Sequence, residues 1–405
     1  MRTVLGLAVV VGWVAPLRAL AQPAQPLASP AEVSAALDAL APADLVILAD
    51  PAQQPSRFRM ATRVPVPVSR VRGMLLDLGA YRSALPSLRH LAFEDSASAA
   101  RSGEGMVVWE LEVPLWNLEG KLWLQPTPTG ADLLITQGDF APGRVRLSAL
   151  PEPSGSTVLS MEASANLRDL NWITRRMTSQ SAVAEPAMAA AAFYVMLRSL
   201  RLQADAPWTQ DPRRRPTAAP TPPGLAELGA GQLGRLVGIK PPALVATVRS
   251  RDDGRLGLVQ VLALSRLAPE AASALVSQAQ TWQALPGWSK VTAVKPDRGC
   301  KGLCWDVDAS LPLLDLDALW QVALSPWRAL AVSGDCRGAV MGVDILAAQT
   351  AASAVVLSLY PRFEKLGYVA RKSIESEPLL EHGLALGLGL VDALGLVRAL
   401  DGSAR

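Results

Sequence analysis

The side chains able to do chemistry are few. The chain has two histidines, His90 and His382, and three cysteines, Cys300, Cys304 and Cys336. His90 closes YRSALPSLRH (81–90) and His382 opens LLEHGLALGLGLVDALGLVRAL (379–400). The sequence contains no G-x-S-x-G nucleophile turn and no H-E-x-x-H metal pair. No catalytic residue, cofactor or metal site is therefore assigned, and catalysis is less expected than binding. The cysteines point to structure instead. DRGCKGLC (297–304) has glycines at 299 and 302, so it forms a turn. Across a turn Cys300 and Cys304 can bridge, whereas in a straight strand residues four apart are too distant. Two thiols without a nearby histidine make a poor metal site. A Cys300–Cys304 disulfide is favoured, Cys304–Cys336 pairing stays open, and the odd count leaves one thiol over.

Half of the 405 residues are apolar, 19% are charged, and the net charge is +3. That composition builds large cores and argues against disorder and against a nucleic-acid binder. At the start, Arg2 precedes the apolar run LGLAVVVGWVAPL (5–17), and Ala19-Leu20-Ala21 supplies a small-x-small cleavage site. Residues 1–21 are expected to be a signal peptide, which places the mature chain in the periplasm or outside the cell. A second punctuation mark is APWTQDPRRRPTAAPTPPG (206–224), with six prolines and the run Arg213–Arg215. It is a semi-rigid linker at 206–223. Its basic triplet is ordinarily a solvated charge run, with transient contact to anionic headgroups as the functional alternative.

The elements on either side of the linker repeat. SPAE (29–32) is a capping box that starts a helix. LVILAD (45–50) and RFRMATRVPV (57–66) are extended, 68–78 is helical, strands follow to about 165, and an Ala-rich helix closes at 178–203. After the linker come a helical stretch at 224–238, the strands ALVATVRS and LGLVQVLALSR, and a helix at 268–280. Leu85-Pro86 matches Leu285-Pro286 at a shift of 200. VVWELEVPL matches LCWDVDASL, Gly138-Asp139 matches Gly334-Asp335, and LRDLNWITRR matches FEKLGYVARK, all at 196. Glu185-Pro186 matches Glu377-Pro378 at 192. Matches kept in order with so little drift mark a tandem duplication. In this alignment Trp109 stands opposite Trp305, Glu110 opposite Asp306 and Glu112 opposite Asp308.

The stretch VPVPVSRVRGMLLDLGAYRSALPSLRHLAFE (64–94), with Asp77, Tyr81 and Pro86 in spacing, resembles the START-like helix-grip superfamily of polyketide cyclase/dehydrase-like proteins and ubiquinone carriers. LALSRLAPEAASALVSQAQTWQALPGWSKVTAVK (262–295) fits again, with Trp282 in the aromatic place and no Asp. The resemblance covers about 57–203 and 257–400. It implies an α+β protein of two tandem helix-grip domains, 29–205 and 224–402, each a curved antiparallel sheet wrapped around a long C-terminal helix. It also implies a cavity between sheet and helix for a hydrophobic or lipid-like small molecule. The leading segments 30–50 and 224–250 are not required by that pattern.

Strand alternation nominates the lining of such a cavity. In the first half it is Trp109, Leu111, Val113, Leu122, Val145 and Leu147; in the second it is Trp305, Val307, Met341 and Val343. Ordinary core packing explains an inward Trp as well as ligand contact does. Arg175, Glu185, Arg371 and Glu377 flank the final helices and are nominated as polar groups at the cavity mouth, with surface ion pairing as the plain alternative. The segment 379–400 is apolar enough to suggest a membrane span, but Glu381, His382, Asp392 and Arg398 favour a helix gripped by a sheet, so the mature chain is expected to have no transmembrane segment. Its glycines are expected to weaken it and ease ligand entry. The favoured function is an exported carrier or sensor of a hydrophobic molecule. A cyclase- or hydrolase-like enzyme and a ligand-free interaction module are the alternatives.

Overall fold

The computed structural model describes residues 27–40, 42–49, 56–97, 102–113, 116–165, 167, 184–205, 224, 244–251, 254–296, 299–311, 314–348, 353–363, 374 and 379–403. The expected signal segment at 1–21, the expected linker at 206–223 and residues 225–238 of the expected helix lie outside them.

The first half runs α1 (Pro30–Leu40), β1 (Asp44–Leu48), β2 (Ser56–Val64), α2 (Val68–Leu75), α3 (Leu78–Ala84), β3 (Leu88–Phe93), β4 (Gly105–Val113), β5 (Trp116–Thr127), β6 (Gly130–Gly138), β7 (Gly143–Pro151), β8 (Thr157–Ala165) and α4 (Ala184–Asp205). The second half repeats this from β9 (Leu244–Ser250): β10 (Leu256–Ser265), α5 (Pro269–Val276), α6 (Ala279–Gln283), β11 (Trp288–Val294), β12 (Leu303–Leu311), β13 (Leu314–Leu324), β14 (Trp327–Gly334), β15 (Val340–Ala347), β16 (Ser353–Tyr360) and α7 (Leu380–Gly402). Local chemistry sets several starts. The capping box of α1 closes both ways, Glu32 N–H to Ser29 Oγ at 3.2 Å and Ser29 N–H to Glu32 Oε2 at 2.6 Å. Asp77 caps α3 by accepting from the Gly79 N–H at 2.8 Å.

In each half the first core strand pairs with the last, β2 with β8 and β10 with β16. The helix pair between them therefore leads out to the far edge, and a six-strand meander returns. The closing helix lies on the strands so joined, α4 on β2 and β8, α7 on β10 and β16. This is the helix-grip arrangement, present twice in an α+β chain.

The leading strands find a use that the single-repeat pattern lacks. β1 and β9 pair antiparallel, Val46 opposite Ala246, and fuse both halves into one 16-stranded sheet, β11-β12-β13-β14-β15-β16-β10-β9-β1-β2-β8-β7-β6-β5-β4-β3. Helices α4 and α7 meet over this seam. A Cβ on Gly383 would lie 2.9 Å from the Ala191 carbonyl oxygen and 2.7 Å from Val195 Cγ2, so only glycine permits this approach. The expectation that glycine loosens α7 thus gives way at this position to close packing. Of the described helices, Leu380–Gly402 is long and apolar enough to cross a membrane by length and composition, and most of it is buried.

The repeated Ala-Leu-Pro module is a corner between helices. Tyr81 Oη donates to the Leu75 carbonyl at 2.9 Å, and Trp282 Nε1 donates to the Val276 carbonyl at 2.8 Å. Each ring reaches back six residues to satisfy a helix-end acceptor. Gly138 and Gly334, at φ +82° and +86°, form a second matched device. The Asp after each donates its N–H to Glu119 or Asp317 and accepts from the same residue.

Strand register corrects one part of the sequence alignment. Glu112 N–H donates to the Ser87 carbonyl, and Ser310 N–H to that of Gly287. The β4–β5 hairpin ends on Val113 opposite Trp116, and β12–β13 on Leu311 opposite Leu314. The shift here is 198, so Trp109 corresponds to Val307, and Val107 to Trp305. A slip of two residues keeps every side chain on its face, which is why alternation located the inward residues while mispairing them.

Candidate ligand site

Each half encloses an aromatic interior, built differently. In the first, rings step from sheet to helix: Trp109 to Phe140 at 6.0 Å, Phe140 to Phe193 at 6.0 Å and Phe193 to Phe58 at 5.3 Å. Trp109 lies over Gly120 of the neighbouring strand, where a Cβ would come within 2.8 Å of the indole. Trp109 Nε1 is buried and has no hydrogen-bond partner among the described residues.

In the second half, Trp288, Trp305, Val307, Trp320, Trp327, Ala329 and Met341 line a gap with room for about one water. Behind them Trp282 stacks on Trp327 at 4.2 Å and 14°, and Trp305 lies 6.0 Å from Trp327. Trp327 Nε1 is a second buried donor without a partner among the described residues. Trp288 connects the gap to α7, its Nε1 donating to Asp392 Oδ1 at 3.1 Å. Burial pushes the Asp392 carboxyl up to about 7, the Trp288 hydrogen bond opposing.

Of the residues nominated from sequence, Trp305, Val307 and Met341 line this gap, and Val343 is buried opposite Trp327 on the neighbouring strand. In the first half Trp109, Val145 and Leu147 are buried while Leu111 and Leu122 are half-buried. The Val113 side chain, Arg175, Arg371 and Glu377 lie outside the described residues. Glu185 is buried in the first turn of α4 rather than set at a mouth, its Oε1 3.5 Å from the Leu167 N–H. Cys300 and Cys304 are disulfide-bonded with Cα atoms 6.2 Å apart, and Cys336 is a free thiol that burial pushes up to about 11.

Sequence reading missed Trp320 and Trp327, and named Asp392 only as a polar residue of the gripped helix. Alternation carried the signal for the first, since Ala318, Trp320 and Val322 share a buried face. Trp327 opens its strand directly after Ser325-Pro326, and Trp327, Ala329 and Ala331 alternate inward. Asp392 is visible as a lone acid in the middle of an apolar helix.

A buried polar cluster lies elsewhere, at the seam. Asp44 accepts from Thr62 Oγ1 at 2.5 Å and Tyr194 Oη at 2.7 Å, with Arg198 at 3.2 Å and Arg201 at 3.4 Å. Burial alone would raise the Asp44 carboxyl, but the two guanidiniums and two hydroxyls hold it below the usual range. Nearby, His382 Nε2 sits 3.2 Å from Ser250 Oγ. This is not a nucleophile–base pair. Burial, aided by Arg198, drives the imidazole down to about 3, and Nδ1 has no orienting partner among the described residues. No cluster of metal-ligating side chains occurs among the described residues.

The class that fold and site define is an α+β protein of two fused helix-grip repeats with an aromatic interior. No family model and no curated protein matches the chain. Among solved structures it is similar to a START superfamily protein from Mycobacterium smegmatis, at 14% identity and TM-score 0.30, covering 36% of this chain and 96% of that one. It is also similar to the di-domain ARO/CYC StfQ from the steffimycin biosynthetic pathway, at 9% identity and TM-score 0.28, covering 84% of this chain and 99% of that one. The di-domain ARO/CYC BexL from the BE-7585A pathway stands alike, at 8% identity and TM-score 0.28, with 86% and 98% covered. Scores this low carry no argument. The fold rests on the strand order and helix placement of this chain.

Proposed function

We propose that the protein binds a hydrophobic or lipid-like small molecule between the second-half sheet and α7, as a carrier or sensor working outside the cytoplasm. One observation carries this reading: the gap is lined wholly by apolar and aromatic side chains, with one buried acid beside it. A ligand entering there exchanges ring-on-ring contacts for its own, so the cost of opening is offset by burial of its apolar surface. Export rests on the signal-like residues 1–21.

Native mass spectrometry with lipid extraction, on protein purified from its own cell envelope, tests the reading. A bound apolar molecule released on unfolding supports it. Protein that is repeatedly empty and takes up no apolar probe overturns it. That outcome leaves the second reading, an interaction module with a self-filled interior, favoured by the stacking of Trp282 on Trp327 and the one-water room that remains.

A further inference from the structure

We infer that Asp392 is the polar anchor of the second-half site and that its ligand is a cationic amphiphile, an alkyl ammonium. Its head meets the Asp392 carboxylate and its tail displaces the Trp rings. The inference rests on the binding reading above and deepens it.

Three observations point the same way. Asp392 is 7% exposed, on the face of α7 that carries Gly389 against Val259 and Val261 and Gly395 against Leu285 and Pro286. Its carboxyl therefore sits between sheet and helix corner. Its protein partner there is the Trp288 N–H, with no cationic side chain paired to it among the described residues. A buried carboxylate without a counter-charge is costly. The same molecule shows how it satisfies one: Asp44, equally buried, is met by two guanidiniums and two hydroxyls. The frame does not require the acid either. The closing helices start at Ala184 and Leu380, and Phe193 on Phe58 matches Gly389 on Val259, so a shift of 196 puts the half-buried Met196 where α7 has Asp392.

The surroundings supply the rest of the recognition. Four indoles, Trp288, Trp305, Trp320 and Trp327, line the approach. Indole faces attract ammonium groups more strongly than other aromatic rings do. An uncharged alcohol could hydrogen-bond to Asp392 but would gain little from those faces, and a carboxylate would be repelled by the acid. A counter-charge and a π lining together select for positive charge.

Decylammonium, decanol and decanoate, equal in chain length, test this by calorimetric titration of the full-length mature chain. Decylammonium should bind about tenfold or more tighter than decanol, with decanoate weakest. Asp392→Asn should remove that preference, so that decylammonium binds no tighter than decanol. Asp392→Met, which restores the first-half residue, should likewise abolish the preference if the Asn variant folds poorly. Equal affinity for the three probes, or a preference that survives both substitutions, overturns the inference while the binding reading stands. Failure of the wild-type chain to bind any of them overturns both.

Discussion

Leu88, Val107, Leu122 and Ala131 in the first half stand where the second half has Trp288, Trp305, Trp320 and Trp327, and the first-half Trp109 stands where the second has Val307. Hydrogen bonds at the helix corner, the glycine turn and the closing strand pair are the same in both. Duplication kept what holds the backbone and let the filling diverge. Buried charge diverged with it. The first half spends its polar side chains at the seam, where Tyr194, Arg198 and Arg201 of α4 converge on Asp44. The second half places an acid, Asp392, in its interior, where the first has Met196. The interior with the acid and the indoles is the one we propose for a ligand, and the half with the ion cluster anchors the seam.

Removing the seam cluster should break that division most severely. In Asp44→Ala, Arg198 stays buried without its counter-charge; its side chain is only 5% exposed. Loss of one partner from a buried pair costs about 3–5 kcal/mol. Urea unfolding should show that loss as one cooperative transition, because β1–β9 and α4–α7 join the halves. Two separated transitions would show that the halves unfold independently, and a loss below about 1 kcal/mol would show the cluster to be incidental.

Two of the buried titrating groups, His382 near the seam and Asp392 in the interior, should give opposite pH limbs. Asp392 has its folded value raised to about 7 from 3.8, so the native state holds a proton that the unfolded chain has released. Its stabilisation is present at low pH and is lost as pH rises from 3.8 through about 7. His382 has its folded value lowered to about 3 from 6.5, so its contribution is present above 6.5 and is lost as pH falls toward 3. Each limb spans on the order of 4 kcal/mol at full extent. Asp392→Asn should flatten the loss of stability toward neutral pH, and His382→Gln should flatten the loss toward acid. Unfolding measured across that range checks both, and a wild-type profile kept by either variant refutes the assignment for that residue.

Alternation and order made the two-copy frame legible: meander, closing helix and inward face were all in the sequence, whereas 68–78 and 268–280 each read as one helix and the structure divides each region into two. Register was not, because a strand slipped by two residues presents the same faces, and Trp109 was set opposite Trp305 instead of Val307. The seam was hidden for another reason. Asp44 and Arg198 are 154 residues apart and follow no period, so only the folded chain brings them together. The glycine at 383 shows the limit of local propensity. By propensity it weakens a helix, yet in the structure it admits the Ala191 carbonyl of the facing helix.

The helix corner allows the finest comparison, since both copies solve one problem with different rings. Tyr81→Phe removes only the hydroxyl that satisfies the Leu75 carbonyl, a loss of about 1 kcal/mol. Trp282→Phe removes the matching N–H bond to Val276 and also trims the ring stacked on Trp327 at 4.2 Å. It should cost about 1 kcal/mol more than the first-half change, from lost stacking and a small cavity. Thermal unfolding of the two variants measures the difference. If the losses are equal, the stack adds nothing, Trp282 serves the corner alone, and the aromatic wall of the second interior begins at Trp288. If the second loss is larger, the corner and the lining are one structure, and a ligand that parts the Trp rings must also loosen the turn that holds α7 in place.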